Sequence, residues 1–295
     1  MKRNKNTILQ KNNKLNITAI LLPIIISLIL LFIKLYGYFI TGSLSILSSF
    51  LDSFMDAFVS GLNMAAVIYA SKPPDADHPF GHNSIEDIVG LVQATFIATS
   101  AIFILYKAFD NIINPQIVEN NIVGIWIMVI SLILSLFIVI YQKYIIRKTK
   151  NIVIESDMMH YLSDVLVTAA IILSLFLSSY QGLGILDPIL ASLIAFYIFS
   201  AALKIGKRSF NNLMDKELSL NEQNKIKKII DNSKDVKGYH AFKTRRSGNR
   251  VFVQMHVELN KNLNLLAAHD IVDDLEDKIS DLWLESDVII HMDPI

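Results

Sequence analysis

Residues 44–70 read LSILSSFLDSFMDAFVSGLNMAAVIYA, an apolar run of helical length broken by two acids, Asp52 and Asp56, four positions apart. About 20 predominantly apolar residues cross a bilayer, so this run is long enough to span one. The four-residue spacing puts both carboxylates on one helix face, well inside the segment. Ionisable groups at that depth cost roughly 2.5–3.5 kcal/mol each even on a lenient insertion scale, so they normally face a cavity and mark an ion pathway. A second apolar segment carries DMMHYLSD at 157–164, where His160 and Asp164 repeat the same spacing. The four groups could form a hydrogen-bonded polar seam between two helices. Three carboxylates and an imidazole also make up a full tetrahedral ligand set for a divalent metal.

Working outward, the 295 residues are 53% hydrophobic and 18% charged, too apolar for an ordinary soluble domain. Mean hydropathy is +0.44. Six segments are long and apolar enough to cross a membrane: about 17–40, 44–70, 85–113, 122–145, 156–179 and 188–205. The first lacks a small-residue cleavage site and reads as a retained helix. Lysine and arginine crowd the N-terminal tail, the connection around Lys143–Lys150 and the exit of the sixth segment, while the opposite connections hold none. By the positive-inside rule both termini are cytoplasmic. The expected architecture is therefore a polytopic α-helical membrane protein: a basic cytoplasmic tail (1–16), six transmembrane helices (17–208) and a cytoplasmic α/β domain (209–295). Lys34, near the outer end of the first segment, is expected to snorkel. Glu86, Asp87 and Asp157 are expected to serve helix starts in contact with solvent. The small residues Gly90, Ala94, Ala98 and Ser100 suit close helix packing.

All seven histidines lie near carboxylates, and no cysteine competes for metal. Besides His160, the 71–84 connection SKPPDADHPFGHNS carries Asp75, His78 and His82, which its Pro and Gly turns can gather or leave solvated. The C-terminal domain carries the rest: His240, His256, His269 and His291, with Asp293. It reads as helix, strand, strand, helix, strand. Ser219 and Glu222 form a capping box before the first helix. Val251, Val253, Met255, Val257 and Leu259 make one face of the second strand, and His256 lies on the other. The final strand puts His291 and Asp293 on one face.

The run GSLSILSSFLDSFMD (42–56), the later DMMHYLSD, six helices and a small cytoplasmic domain together resemble the cation diffusion facilitator family, most of all its bacterial ferrous-iron and zinc efflux branch. The resemblance implies that Asp52, Asp56, His160 and Asp164 form a transport site and that Asp75, His78 and His82 bind metal on the loop. It implies that the four C-terminal histidines and Asp293 build a two-metal cluster where two metallochaperone-like domains of a homodimer meet. One departure stands out. Related efflux proteins carry a lysine two residues after the second loop histidine, where it pairs with an acid near the end of the sixth helix; here that position is Ser84, while the acid remains as Asp215.

The expected function is export of Zn2+, or of Cd2+ or Fe2+, in exchange for protons by alternating access in the inner (plasma) membrane. Metal requires deprotonated carboxylates and neutral imidazole, so metal and protons compete for the same side chains. Histidine, titrating near about 6.5 when unperturbed, suits proton carriage. A manganese-selective exporter (Mn2+) of the same family, or a metal-sensing membrane subunit without transport, are the alternatives; a passive channel is a third. The chain has no HExxH arrangement for a metalloenzyme, no phosphate-binding glycine loop for nucleotide-driven pumping and no basic patch for nucleic acid. No organic cofactor is expected.

Overall fold

The computed structural model describes residues 2–41, 44–113, 122–177 and 186–295; side chains at 2–10, 41, 44–49, 51, 52, 111, 122–125, 127, 171, 173–177, 186 and 187 lie outside the description. The apolar runs become six long helices: α1 (Lys2–Thr41), α2 (Leu44–Ala70), α3 (Ser84–Ile113), α4 (Ile122–Thr149), α5 (Ile152–Leu177) and α6 (Leu186–Leu213). Five contain a stretch long and apolar enough to cross a membrane, α5 being the exception among the described residues, with Glu155, Asp157 and Asp164 in its first half. Helix α2 has the bounds its sequence predicts. Helix α1 starts 15 residues earlier and α6 ends 8 residues later than expected, because the helical hydrogen bonds continue through polar flanks that hydropathy alone does not mark. Helix α5 also starts early. The Asn151 side-chain oxygen accepts from the Val153 and Ile154 amides at 3.0 and 3.1 Å, capping the helix at that point.

The helices pack through Ile20, Val67, Ala94, Ile97, Ile145, Val153 and Ile198, all buried. Close approach of α3 to α6 depends on Gly90, where an added Cβ would lie 2.7 Å from Ser209 Oγ and 3.4 Å from Ile152 Cγ1. Gly90, Ala94 and Ala98 of α3 thus serve packing within this chain, while Ser100 lines a cavity. The acids expected at solvated helix starts are buried instead: Glu86, Asp87 and, with 0% exposure, Asp157. Asn63 Nδ2 of α2 and Gln142 Nε2 of α4 donate to the two Asp157 oxygens at 2.8 and 2.6 Å, and Gln93 Nε2 of α3 donates to Asn63 Oδ1 at 2.6 Å. One carboxylate on α5 is therefore tied to three other helices. Hydrogen bonding is what makes a buried charge tolerable.

The chain divides into two compact units, Asn12–Ser209 and Phe210–Ile295 with Met1–Lys11. The C-terminal domain has the expected order, α7 (Leu220–Asp231), β1 (Gly238–Ser247), β2 (Arg250–Leu259), α8 (Leu265–Ser280) and β3 (Ser286–Pro294). Its sheet runs β1-β2-β3, with β1 antiparallel and β3 parallel to β2. Val251, Val253, Met255, Val257 and Leu259 pack against Ile226 and Ile230 of α7 and Val272, Leu275 and Ile279 of α8. The capping box is present: the Ser219 hydroxyl accepts from the Glu222 amide, and the Glu222 carboxylate accepts from Ser219 N and Oγ.

Candidate metal centres

Helices α2 and α5 present polar positions toward one another, and His160 of α5 meets Asp56 of α2. His160 Nε2 lies 3.0 Å from Asp56 Oδ1 and 3.8 Å from Asp164 Oδ2. A tetrahedron with metal–ligand bonds near 2.1 Å has edges of about 3.4 Å, and the two separations straddle that value. The three donor groups can all come within 4.8 Å of one another. Asp52 lies one turn before Asp56 on α2; its side chain is outside the described residues. The Ser163 hydroxyl returns to the Met159 and His160 carbonyls, and Tyr161, packed edge-on to His160 at 5.5 Å, shares a hydrogen bond with Ser60 of α2. These contacts hold the α5 polar face in register with α2. Asp56, His160 and Asp164 line a cavity of about 460 Å³ that also includes Ser27, Lys34 and Ser53.

Lys34 does not snorkel. Its side chain is buried, with the residue 7% exposed, and Nζ donates to Ser53 Oγ at 2.7 Å. The lysine belongs to the wall of the same cavity, through a contact across 19 residues that no local pattern announces.

The loop cluster forms as its turns predict. Asp75 Oδ1 accepts from the His78 amide at 2.7 Å and the Asp77 amide at 3.1 Å, an Asx-type turn that folds His78 back. Gly81, at φ 89°, takes the left-handed backbone that brings the chain round to His82. His78 Nδ1 and His82 Nε2 then lie 3.3 Å from Asp75 Oδ1 and Oδ2 respectively, with the imidazole rings 4.6 Å apart. The His78 amide, aided by both imidazoles, holds the Asp75 carboxyl below its usual range despite some burial. An anion is what a cation site needs.

In the C-terminal domain the sheet register does the gathering. His240 of β1 pairs with His256 of β2, which pairs with His291 of β3, so three histidines form a row across the sheet. A bulge follows His240, with Ala241 at φ 50°. Asp293 Oδ2 lies 3.1 Å from His240 Nε2 and 3.0 Å from His256 Nδ1, and Oδ1 lies 3.4 Å from His291 Nε2. One carboxylate therefore touches all three imidazoles, and the His256 hydrogen bond, with the charges of the histidines, holds the Asp293 carboxyl below the usual carboxylate range. Glu258, which the sequence reading did not single out, orients His240 through Nδ1 at 3.2 Å. His269 is not brought to this row. It sits on α8 beside Asp273, at 3.4 Å, because α8 covers the opposite, apolar face of the sheet. Asp215 meets Arg245 within the same domain, 3.1 Å from its Nη1.

A family model described as the cation efflux transmembrane domain matches residues 20–214, and one described as the cation efflux protein cytoplasmic domain matches residues 218–295. The cation-efflux pump FieF of Pectobacterium carotovorum is 36% identical over 92% of this chain and 90% of its own length, and that of Shewanella oneidensis is 38% identical over 91% and 90%. Protein p34 of Rickettsia prowazekii is 36% identical over 92% and 90%. The solved structure of CzrB in its Zn form is 26% identical over 27% of this chain and 92% of that one, with a TM-score of 0.25.

Proposed function

Because the chain belongs to the cation efflux family, the cation diffusion facilitators, we propose that it exports divalent metal from the cytoplasm, zinc before cadmium or ferrous iron, in exchange for protons. Membership of the family makes it a membrane transport protein and not an enzyme. The single observation that carries the finer reading is the meeting of His160 with Asp56 and Asp164, from α5 and α2, at the wall of a cavity lined by both polar and apolar side chains. With Asp52 as the fourth donor the set holds one imidazole and three carboxylates, a combination that suits zinc, cadmium and ferrous iron; manganese export is the second reading.

The mechanism follows from what these side chains can hold. Bound metal needs all three carboxylates ionised and the imidazole neutral; once metal leaves, uncompensated carboxylates in a low-dielectric site draw protons. If the cavity opens to one side at a time, metal leaves outward and protons return inward through the same ligands. The Asp75–His78–His82 cluster lies on the connection assigned to the cytoplasmic side, where it would take up metal. The row of His240, His256 and His291 around Asp293 would bind cytoplasmic metal and, with His269 supplied from a second copy, tighten a homodimer by mass action. Both termini are then cytoplasmic and the protein is multi-pass in the inner (plasma) membrane.

The test is metal flux in sealed proteoliposomes with and without a pH gradient. Zinc uptake should accelerate when the lumen is acidic, and each zinc entering should release protons from the lumen. Flux indifferent to the gradient would point to a passive channel; flux only with manganese would select the second reading.

A further inference from the structure

The cavity that holds the candidate transport ligands contains a cation of its own. Lys34 enters it from α1 and is hydrogen-bonded to Ser53, the residue following Asp52 and three before Asp56 on α2. A buried ammonium within an apolar span is costly unless anions stand nearby, and the anions this cavity offers are the carboxylates assigned to metal. The charges then close on a simple relation. Asp56 and Asp164 line the cavity and Asp52 is the proposed fourth ligand; together these three ligand carboxylates carry three negative charges, and one ammonium leaves two, the charge that a divalent ion cancels.

We propose that Lys34 is a fixed internal cation of the transport site, a positioning residue that sets its charge for divalent ions and weakens their hold enough for release. The inference rests on the reading of α2 and α5 as the transport site. The ammonium and the metal repel one another across the cavity while both are attracted to the same acids. Lys34 therefore stabilises the site when metal is absent and opposes metal when it is present, which raises KM and speeds turnover together. The Ser53 hydroxyl fixes the ammonium to the helix that carries two of the ligands, so that it compensates them without occupying the metal position.

The full-length protein in proteoliposomes tests this, using zinc as cargo and lanthanum(III) as competitor. Lys34→Met should lower the KM for zinc about tenfold or more and lower maximal flux, and Lys34→Arg should restore both toward wild type. Coulomb energy scales with the ion's charge, so inhibition by lanthanum should tighten by about 1.5 times as much on a logarithmic scale as zinc does. Loss of mere packing would give no such dependence on ion charge. Should Lys34→Met fail to reconstitute, Lys34→Gln keeps a donor for Ser53 without the charge and carries the same expectation. An unchanged or raised KM in the charge-free variants overturns the role of Lys34 while leaving the transport site standing; wild-type vesicles that move no zinc overturn both.

Discussion

The ligands proposed for the helical domain and those proposed for the C-terminal domain are held by different means. His160 and Asp56 meet because whole helices pack, with the His160 side chain 16% exposed and its neighbours Tyr161 and Ser163 bonded in turn. His240, His256 and His291 meet because three strands are hydrogen-bonded in register, and their side chains are more exposed than that of His160, from 40% at His256 to 64% at His291. A packed site is positioned before metal arrives and tolerates no loss of a donor. A strand-register site has an exact backbone and loose side chains, so a single shared anion does most of the ordering. That anion is Asp293.

The largest effect that would break this contrast is at the packed site. Asp164→Ala should reduce proton-coupled zinc flux by at least about 100-fold, since the remaining donors cannot close a tetrahedron, while circular dichroism stays that of the wild type. Flux within a fewfold of wild type would mean that the helices do not jointly cage the ion. Next comes Asp293→Asn. Zinc affinity of the cytoplasmic domain, measured by calorimetry, should fall at least as far as the roughly tenfold typical of losing an outer-shell partner. Flux should fall far less than in Asp164→Ala, and equal losses in the two would erase the distinction. The smallest effect isolates fold from metal. Burial pushes the Glu222 carboxyl up, but Ser219 and Arg246 outweigh it and hold it below the usual value. Its stabilisation is therefore complete above the unfolded value, near about 4.3, and is lost as pH falls through the lower folded one. Glu222→Gln should cost about 1 kcal/mol at neutral pH in chelator, with the gap to wild type closing on acidification below about pH 4. Melting curves across pH check it, and a gap that persists at pH 3 would remove the capping carboxylate as its cause.

Local patterns made much of this legible. The bounds of α2, the αββαβ order, the buried face of β2 and the capping box at Ser219 all follow from periods and spacings within one element. The loop turn was legible too, because Asp75, His78 and Gly81 are neighbours. What escaped are pairings between elements. Lys34 lies 19 residues from Ser53, and Asp157 lies 94 from Asn63, so local sequence puts Lys34 at a membrane edge and Asp157 at a wet helix start. His269 lies apart from the histidine row of its own domain, and residue type alone does not say which face of a domain a helix covers. Its place on α8 comes from the apolar positions Val272, Leu275 and Ile279, which turn that helix onto the back of the sheet.

The bonds at Asp157 all point one way. Gln93 gives to Asn63, and Asn63 and Gln142 give to the carboxylate, which accepts and returns nothing in that chain. Such a sink is intolerant of near-isosteric change: an amide in its place would set a second NH2 against one of the incoming ones, and a mutation that barely alters shape would reverse the polarity of a junction shared by four helices.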